Sequence, residues 1–318
     1  MTCYHPHTMF PRIGGGRWTN DPRKAAGAGR IVPCNRCQAC RKRITSDWTN
    51  RLIREAQYHT QPVLMLTLTF ANEHLPADYS VEKKLAVKTL KRIRKRFGNG
   101  LRYYLVSEYG DNDTGTKRPH YHILIFGLEL TDLCDPEKTQ SNFIQYRSPS
   151  VESCWTDPKT GELRGRVRVS FADAATMSYV AGYVHKKLGG PRAEAEYSRV
   201  HPTTGEIVQV QPEFALMSRR PGIGRDWYDE FADTDAKSDF LITRGRPSAM
   251  PRYYARLRDQ AAAANMSEAQ QVVAKFARRA NAEASSAKQA ADLTPERLAV
   301  REEVHALRTQ GLARGRGR

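Results

Sequence analysis

The sequence has no GxxxxGKS/T phosphate loop, no HExxH pair and no apolar run approaching the length of a membrane span. These absences argue against a built-in helicase motor, a common type of zinc hydrolase and an integral membrane protein, respectively. The start, MTCYHPHTMF, lacks the basic-then-apolar order of a secretory leader, so a cytoplasmic location is expected. Acidic residues are scarce too. Against 51 Lys and Arg stand 34 Asp and Glu, which leaves a formal charge of +17 on 318 residues. Such a surface attracts polyanions, nucleic acid foremost, although ribosome-bound and membrane-surface proteins share the property. The length suits one sizeable core with an extension, or two modest domains.

Residues 1–45 are rich in Gly, Pro, Cys and Arg with little periodicity, and they read as a loop-built, metal-tied segment. Thr45 to His59 has helical character. Val63 to Phe70 alternates Leu64, Leu66, Leu68 and Phe70 against Met65, Thr67 and Thr69, which predicts a central strand. Ser80 is predicted to cap a helix whose apolar stripe is Ala86, Leu90, Ile93 and Phe97, closed by Gly98 and Gly100. Arg102–Tyr109 and His120–Phe126 read as a long hairpin. Arg166–Phe171 is a further short strand, and Asp173–Lys187 a helix ended by Gly189 and Gly190.

This order predicts an α+β fold: a central antiparallel sheet with helices packed mainly on one face. The Cys-rich segment 1–45 precedes a core at 46–190. A basic, Gly-containing loop region at 191–254 packs on or extends that core, and a helical to disordered basic extension occupies 255–318.

The segment PHYHILIFG carries the strongest chemical signal. Alternate side chains of a strand share a face, so His120 and His122 point together while Tyr121 points into the opposite layer. Two imidazoles so held chelate a divalent ion, or they are simply histidines on a half-exposed strand. Glu108, at the end of the preceding strand, is brought alongside by the hairpin and completes a His, His, Glu set. In SYVAGYVHKK, Tyr179 and Tyr183 are one helical turn apart and Lys186 follows on the same stripe. Aromatic residues at that spacing also arise from packing alone. A phenol with a pKa of about 10 is a weak nucleophile at neutral pH, so it needs an activated electrophile. A divalent metal on a phosphate supplies that activation, and a lysine offsets charge or assists proton transfer.

Cys34, Cys37 and Cys40, with Cys3 as a fourth, suit tetrahedral Zn²⁺; an iron-sulfur ligand run and free thiols are the alternatives. His5 or His7 is a substitute for Cys3, whereas Cys134 and Cys154 are expected to be unliganded. Lys88, Lys91, Arg92 and Lys95 lie on the basic helix and can follow phosphates, and Lys187 adds to the charge beside Lys186. Arg219 and Arg220, near Gly222, Gly224 and Trp227, can grip single-stranded DNA by charge and stacking. A solvated charged face and a turn with an anchoring Trp are the corresponding structural readings.

PHYHILIFG, the upstream SEYG and the downstream YVAGYVHKK together resemble the motifs of the HUH endonuclease superfamily of rolling-circle replication initiators. More narrowly, VPCNRCQACRKR, LMLTLTF and FALMSRRPGIGRDW resemble the initiator of gokushovirus-type microviruses, small single-stranded DNA bacteriophages. The resemblance covers roughly residues 1 to 255. It implies His120, His122 and Glu108 as ligands of Mg²⁺ or Mn²⁺, Tyr183 and Tyr179 as alternating nucleophiles, and Lys186 as the basic residue beside them. It further implies a nick in origin DNA, a 5′-phosphotyrosine bond, synthesis by host DNA polymerase from the free 3′-OH, and circle closure by the second tyrosine. With no motor of its own, such a protein relies on a host helicase, and on host single-strand-binding protein, in the cytoplasm of the bacterial host and away from membranes. One departure is Gly182, where some two-tyrosine relatives carry a lysine, and a single-nucleophile cycle is the corresponding alternative. The rival readings are a zinc hydrolase, a plasmid or transposon relaxase or transposase of the same superfamily, and a noncatalytic zinc-tied nucleic-acid-binding protein.

Overall fold

The computed structural model describes residues 3–16, 18–110, 117–139, 143–183, 194–195, 197–201, 204–234, 240–243, 245–288 and 290–314. It divides into two compact units, Thr45–Pro251 and the pair of segments Met1–Ile44 and Arg252–Arg318. Among the described residues no helix is long and apolar enough to cross a membrane.

The first unit is built on a seven-stranded sheet. Its strands are β1 (Leu64–Leu68), β2 (Arg102–Tyr109), β3 (Pro119–Phe126), β4 (Cys134–Lys138), β5 (Ile144–Arg147), β6 (Val167–Phe171) and β7 (Ala215–Met217). They lie in the order β7, β2, β3, β1, β6, β5, β4, and every neighbouring pair is antiparallel. The expected α+β class and antiparallel sheet are therefore what the chain forms. Strands β1, β2, β3 and β6 follow the sequence reading to within two residues at each end. The edge strands β4, β5 and β7 do not follow from the pattern. They are three to five residues long, and CDPEK and IQYR have no apolar alternation to mark them.

Strands β2 and β3 are buried along nearly their whole length, so each sends apolar side chains to both sides of the sheet. On one side Leu64, Leu66, Leu105, Tyr121, Ile123 and Val169 pack under helix α2 (Lys83–Phe97) through its Ala86, Leu90 and Ile93. On the other, Tyr104, Val106, Leu124 and Phe126 meet Leu52 of α1 (Gln38–Ala56) and Met177, Val180 and Ala181 of α3 (Ala174–Gly182). The helices thus divide between the faces, two against one.

Several local expectations need correction. Helix α1 begins at Gln38, not Thr45, so the end of the Cys-rich segment is helical and Cys40 lies in its first turn. Ser80 is not the cap of α2. It is buried, its hydroxyl accepts the Gln211 N–H at 2.9 Å, and Glu82 takes the cap position without a side-chain bond. Gly98 does close α2, at φ 104°, where a side chain would be strained. Asp173 caps α3 by accepting the Thr176 N–H at 2.7 Å. Tyr183 is the C-terminal cap of α3, and Lys186, Lys187, Gly189 and Gly190 lie outside the described residues.

In the second unit, helices α4 (Arg252–Ala264), α5 (Glu268–Lys288) and α6 (Pro295–Arg314) make up most of the C-terminal segment. Cys3, Tyr4, Cys34, Cys37, Ala39 and Cys40 form a small apolar cluster of their own.

Candidate active site

Antiparallel pairing of β2 with β3 sets Glu108 opposite His120 and Val106 opposite His122. The pleat then turns Glu108, His120 and His122 to the α3 face of the sheet, and Tyr121 to the α2 face. Glu108 Oε2 lies 3.2 Å from His120 Nε2 and 3.4 Å from His122 Nε2. Glu108 is only 3% exposed and His122 only 8%.

Each imidazole is held by its far nitrogen. His120 Nδ1 is 3.1 Å from the Arg118 carbonyl, and His122 Nδ1 is 3.1 Å from Thr67 Oγ1 on β1. Nδ1–H donation to the Arg118 carbonyl leaves His120 Nε2 as a lone pair aimed at the carboxylate. The same tautomer results for His122 if Thr67 accepts. Donor atoms bound to one divalent ion at about 2.1 Å lie roughly 3 Å apart, so the observed spacings fit a common ion. The donor set of two imidazole nitrogens and one carboxylate oxygen suits a divalent cation of intermediate hardness.

Both tyrosines of α3 reach this set. The Tyr183 ring stacks on His122, with centroids 5.5 Å apart and planes at 19°, and Tyr179 meets His122 edge-on at 6.3 Å. The two phenols also touch each other, with ring centroids at 4.8 Å and the Tyr183 hydroxyl donating to the Tyr179 oxygen. Their environments differ sharply. Tyr179 is 57% exposed and Tyr183 only 6%. Burial pushes the Tyr183 phenol well above its ordinary pKa, reinforced by the Tyr179 hydrogen bond and the negative charge of Glu108.

A cavity of about 930 Å³ opens over the set. Thr67, His120, His122 and Tyr179 line it together with Arg118 and Arg166, so an anion entering it meets two guanidinium groups. Arg118 is anchored to Asn72 Oδ1 at 2.7 Å and to the Phe70 carbonyl at 2.8 Å. At the wall, Gly165 passes so close to the backbone that a Cβ would sit 2.4 Å from Thr69 O. Thr67, Arg118 and Arg166 did not emerge from the sequence reading. The polar face of LMLTLTF and the basic TKRPH ahead of the histidines carried the signals.

The other candidates are dispersed. Lys88, Lys91 and Lys95 are exposed on α2, across the sheet from the histidines. Arg92 is half-buried and donates to the Thr156 carbonyl at 2.6 Å, so its guanidinium is partly committed to the fold. Arg219 and Arg220 are exposed and line a separate cavity of about 790 Å³ with Arg94 and Arg102. Cys3, Cys34, Cys37 and Cys40 come together with their sulfurs within 4.8 Å of one another. His5 pairs instead with Glu302 at 2.8 Å, and Cys134 and Cys154 lie outside the cluster.

The family of replication-associated proteins typified by ORF2 matches residues 63–188, a span that begins just before β1 and includes Glu108, His120, His122, Tyr179 and Tyr183. Replication-associated protein VP4 of Bdellovibrio phage phiMH2K is 28% identical over 236 residues, covering 71% of this chain and 67% of that protein. Replication-associated protein ORF2 of Spiroplasma virus 4 is 28% identical over 219 residues, or 66% of this chain and 61% of that protein. No solved structure matches the chain. The resemblance read from the motifs therefore holds: this chain is a relative of the phage replication-associated proteins, with the ORF2-type family domain in residues 63–188.

Proposed function

We propose that this protein initiates rolling-circle replication by nicking and rejoining origin DNA through tyrosine transesterification. The stacking of Tyr183 on His122, with Tyr179 in contact with both, is the observation that carries the reading. It brings two nucleophile-bearing side chains to a donor set that suits a divalent ion.

Glu108, His120 and His122 would hold the ion, Mg²⁺ or Mn²⁺. When bound, it supplies positive charge to a nonbridging phosphate oxygen. The protein's own groups do the remainder. Arg118 and Arg166 attract the phosphodiester backbone into the cavity and orient it. A tyrosine oxygen attacks phosphorus in line while its proton leaves. A Tyr–O–P bond forms, the P–O3′ bond breaks, and the departing 3′ oxygen takes up a proton. The new bond retains the energy of the cleaved linkage, so joining needs no nucleotide. Attack on the phosphotyrosine by the 3′-OH of a displaced strand reverses the step, with the second tyrosine free to open the next junction.

Lys186 is proposed as the charge partner of the tyrosines. Lys88, Lys91, Arg92, Lys95, Lys187, Arg219 and Arg220 are proposed to add salt-dependent affinity for DNA. A host helicase, DNA polymerase and single-strand-binding protein in the bacterial cytoplasm would complete the reaction.

The test is incubation of the full chain with labelled single-stranded origin DNA and Mg²⁺ or Mn²⁺, followed by denaturing electrophoresis. A covalent adduct that disappears on chelation and in the Tyr179→Phe, Tyr183→Phe double variant is expected. Undiminished cleavage in that variant overturns the tyrosine mechanism. Cleavage without an adduct favours a hydrolase.

A further inference from the structure

The four-cysteine cluster shares no residue with the candidate active site and is unused by the proposed reaction. Cys34 Sγ lies 4.0 Å from Cys40 Sγ, and Cys37 Sγ 3.9 Å from Cys3 Sγ. Sulfurs bound to one tetrahedral zinc at about 2.3 Å are roughly 3.8 Å apart, whereas a disulfide brings them to about 2.05 Å. All four thiols are free.

The backbone around them is turned toward sulfur. Cys34 Sγ accepts the N–H groups of Arg36 at 3.4 Å and Cys37 at 3.2 Å, and Asn35 between them adopts a left-handed φ of 56°. Cys3 Sγ accepts the Cys34 N–H at 3.2 Å, and Cys37 Sγ the Tyr4 N–H at 3.4 Å. N–H groups so directed stabilise negative charge on sulfur, the form in which cysteine binds metal. Cys37 and Cys40 are buried, so the cluster is also shielded from water.

Residues next to Cys3 make a second set of contacts. Tyr4 Oη lies 2.7 Å from His305 Nδ1, and His5 Nε2 lies 2.8 Å from Glu302 Oε2, both on α6. The segment that supplies one thiolate is thus the segment that grips the C-terminal helix.

We propose that Cys3, Cys34, Cys37 and Cys40 bind one zinc ion as thiolates, and that this ion fastens helix Pro295–Arg314 through Tyr4 and His5. Each thiol releases its proton to solvent on binding. Without zinc, Cys3 is released from Cys34, Cys37 and Cys40, and Tyr4 and His5 lose their fixed position.

The full chain, purified without chelator, is analysed for bound metal, then stripped and reloaded with Co²⁺. One zinc per chain and an intense sulfur-to-cobalt charge-transfer band are expected. Both persist in a His120→Ala, His122→Ala variant and are lost in Cys3→Ser and Cys34→Ser. On the wild-type chain, so that no variant need fold, zinc removal should raise amide hydrogen exchange across Pro295–Arg314, and zinc return should lower it. Absence of tightly bound zinc, its retention in both cysteine variants, an iron-sulfur spectrum, or unchanged exchange in the helix overturns the proposal.

Discussion

The ring of Tyr183 lies nearly parallel to that of His122, 19° from coplanar and 5.5 Å away, while its hydroxyl donates to Tyr179. One phenol is thereby buried against a metal-site histidine and the other stands in the open cavity. Two roles follow for two chemically identical side chains. Tyr183→Phe is expected to lower first-strand adduct formation by about a thousandfold or more. Tyr179→Phe is expected to retain nicking and lose joining, read from a suicide substrate followed by a labelled acceptor strand. Equal loss of both steps in both variants would contradict this division.

Glu108 is buried beside both imidazoles and is the sole carboxylate of the donor set. Glu108→Gln keeps the shape and removes the charge. The Mn²⁺ concentration giving half-maximal adduct should rise by roughly a hundredfold or more, with chelation of the wild type giving the same null. Titration of activity against metal at fixed DNA checks it. An unchanged half-point would remove Glu108 from the ligand set.

Thr67 touches His122 from the neighbouring strand, on the ring nitrogen that faces away from Glu108. Thr67→Val deletes the hydroxyl at nearly constant volume. It should raise the half-saturating metal concentration by about 10- to 100-fold while leaving the melting temperature close to wild type. Thr67→Ser should restore most of the affinity, which a purely steric role would not require.

Glu55 joins α1 to the sheet and to the turn before Gly224. Arg102 Nε donates to it at 2.6 Å and the Gly224 N–H at 2.5 Å, with His59 at 3.4 Å. Burial opposes ionisation, but the bonds from His59, Arg102 and Gly224 outweigh it and hold the carboxyl at about 2, below its ordinary 4.5. A depressed folded pKa means stability that is complete above about 4.5 and is lost as pH falls toward 2. Glu55→Gln should cost about 3 kcal/mol at neutral pH and flatten the acid limb of the melting curve. A wild-type-like limb in the variant would refute the assignment.

The centre of the fold was legible in the sequence because its strands are long and their alternation is strong. PHYHILIFG and RYYLVSEY specify both strand period and face, so the His, His, Glu register followed from pairing alone. The stacking of Tyr183 on His122 was not legible, since helical spacing aligns Tyr179 with Tyr183 but does not say which rests on the sheet. Arg118 and Arg166 were hidden for another reason. They come to one cavity from segments far apart in sequence, and only the packing of the loop after β1 against Gly165 brings them together. Ser80 misled because a serine ahead of a helix is a common cap, whereas here Gln211 occupies its hydroxyl.

Tyr121 stands between the two histidines and faces the other way, where its hydroxyl receives the Glu82 N–H at 2.8 Å at the start of α2. Strand β3 is also flanked on both sides, by β1 and β2. A slip of one residue would exchange the histidines for Tyr121 and Ile123 and break both ladders together. The chelating pair is therefore specified by the interior of the sheet and not by the length of the connection between Tyr109 and Pro119. That connection is free to lengthen, shorten or change sequence among relatives, so divergence in origin recognition can proceed there without altering the chemistry.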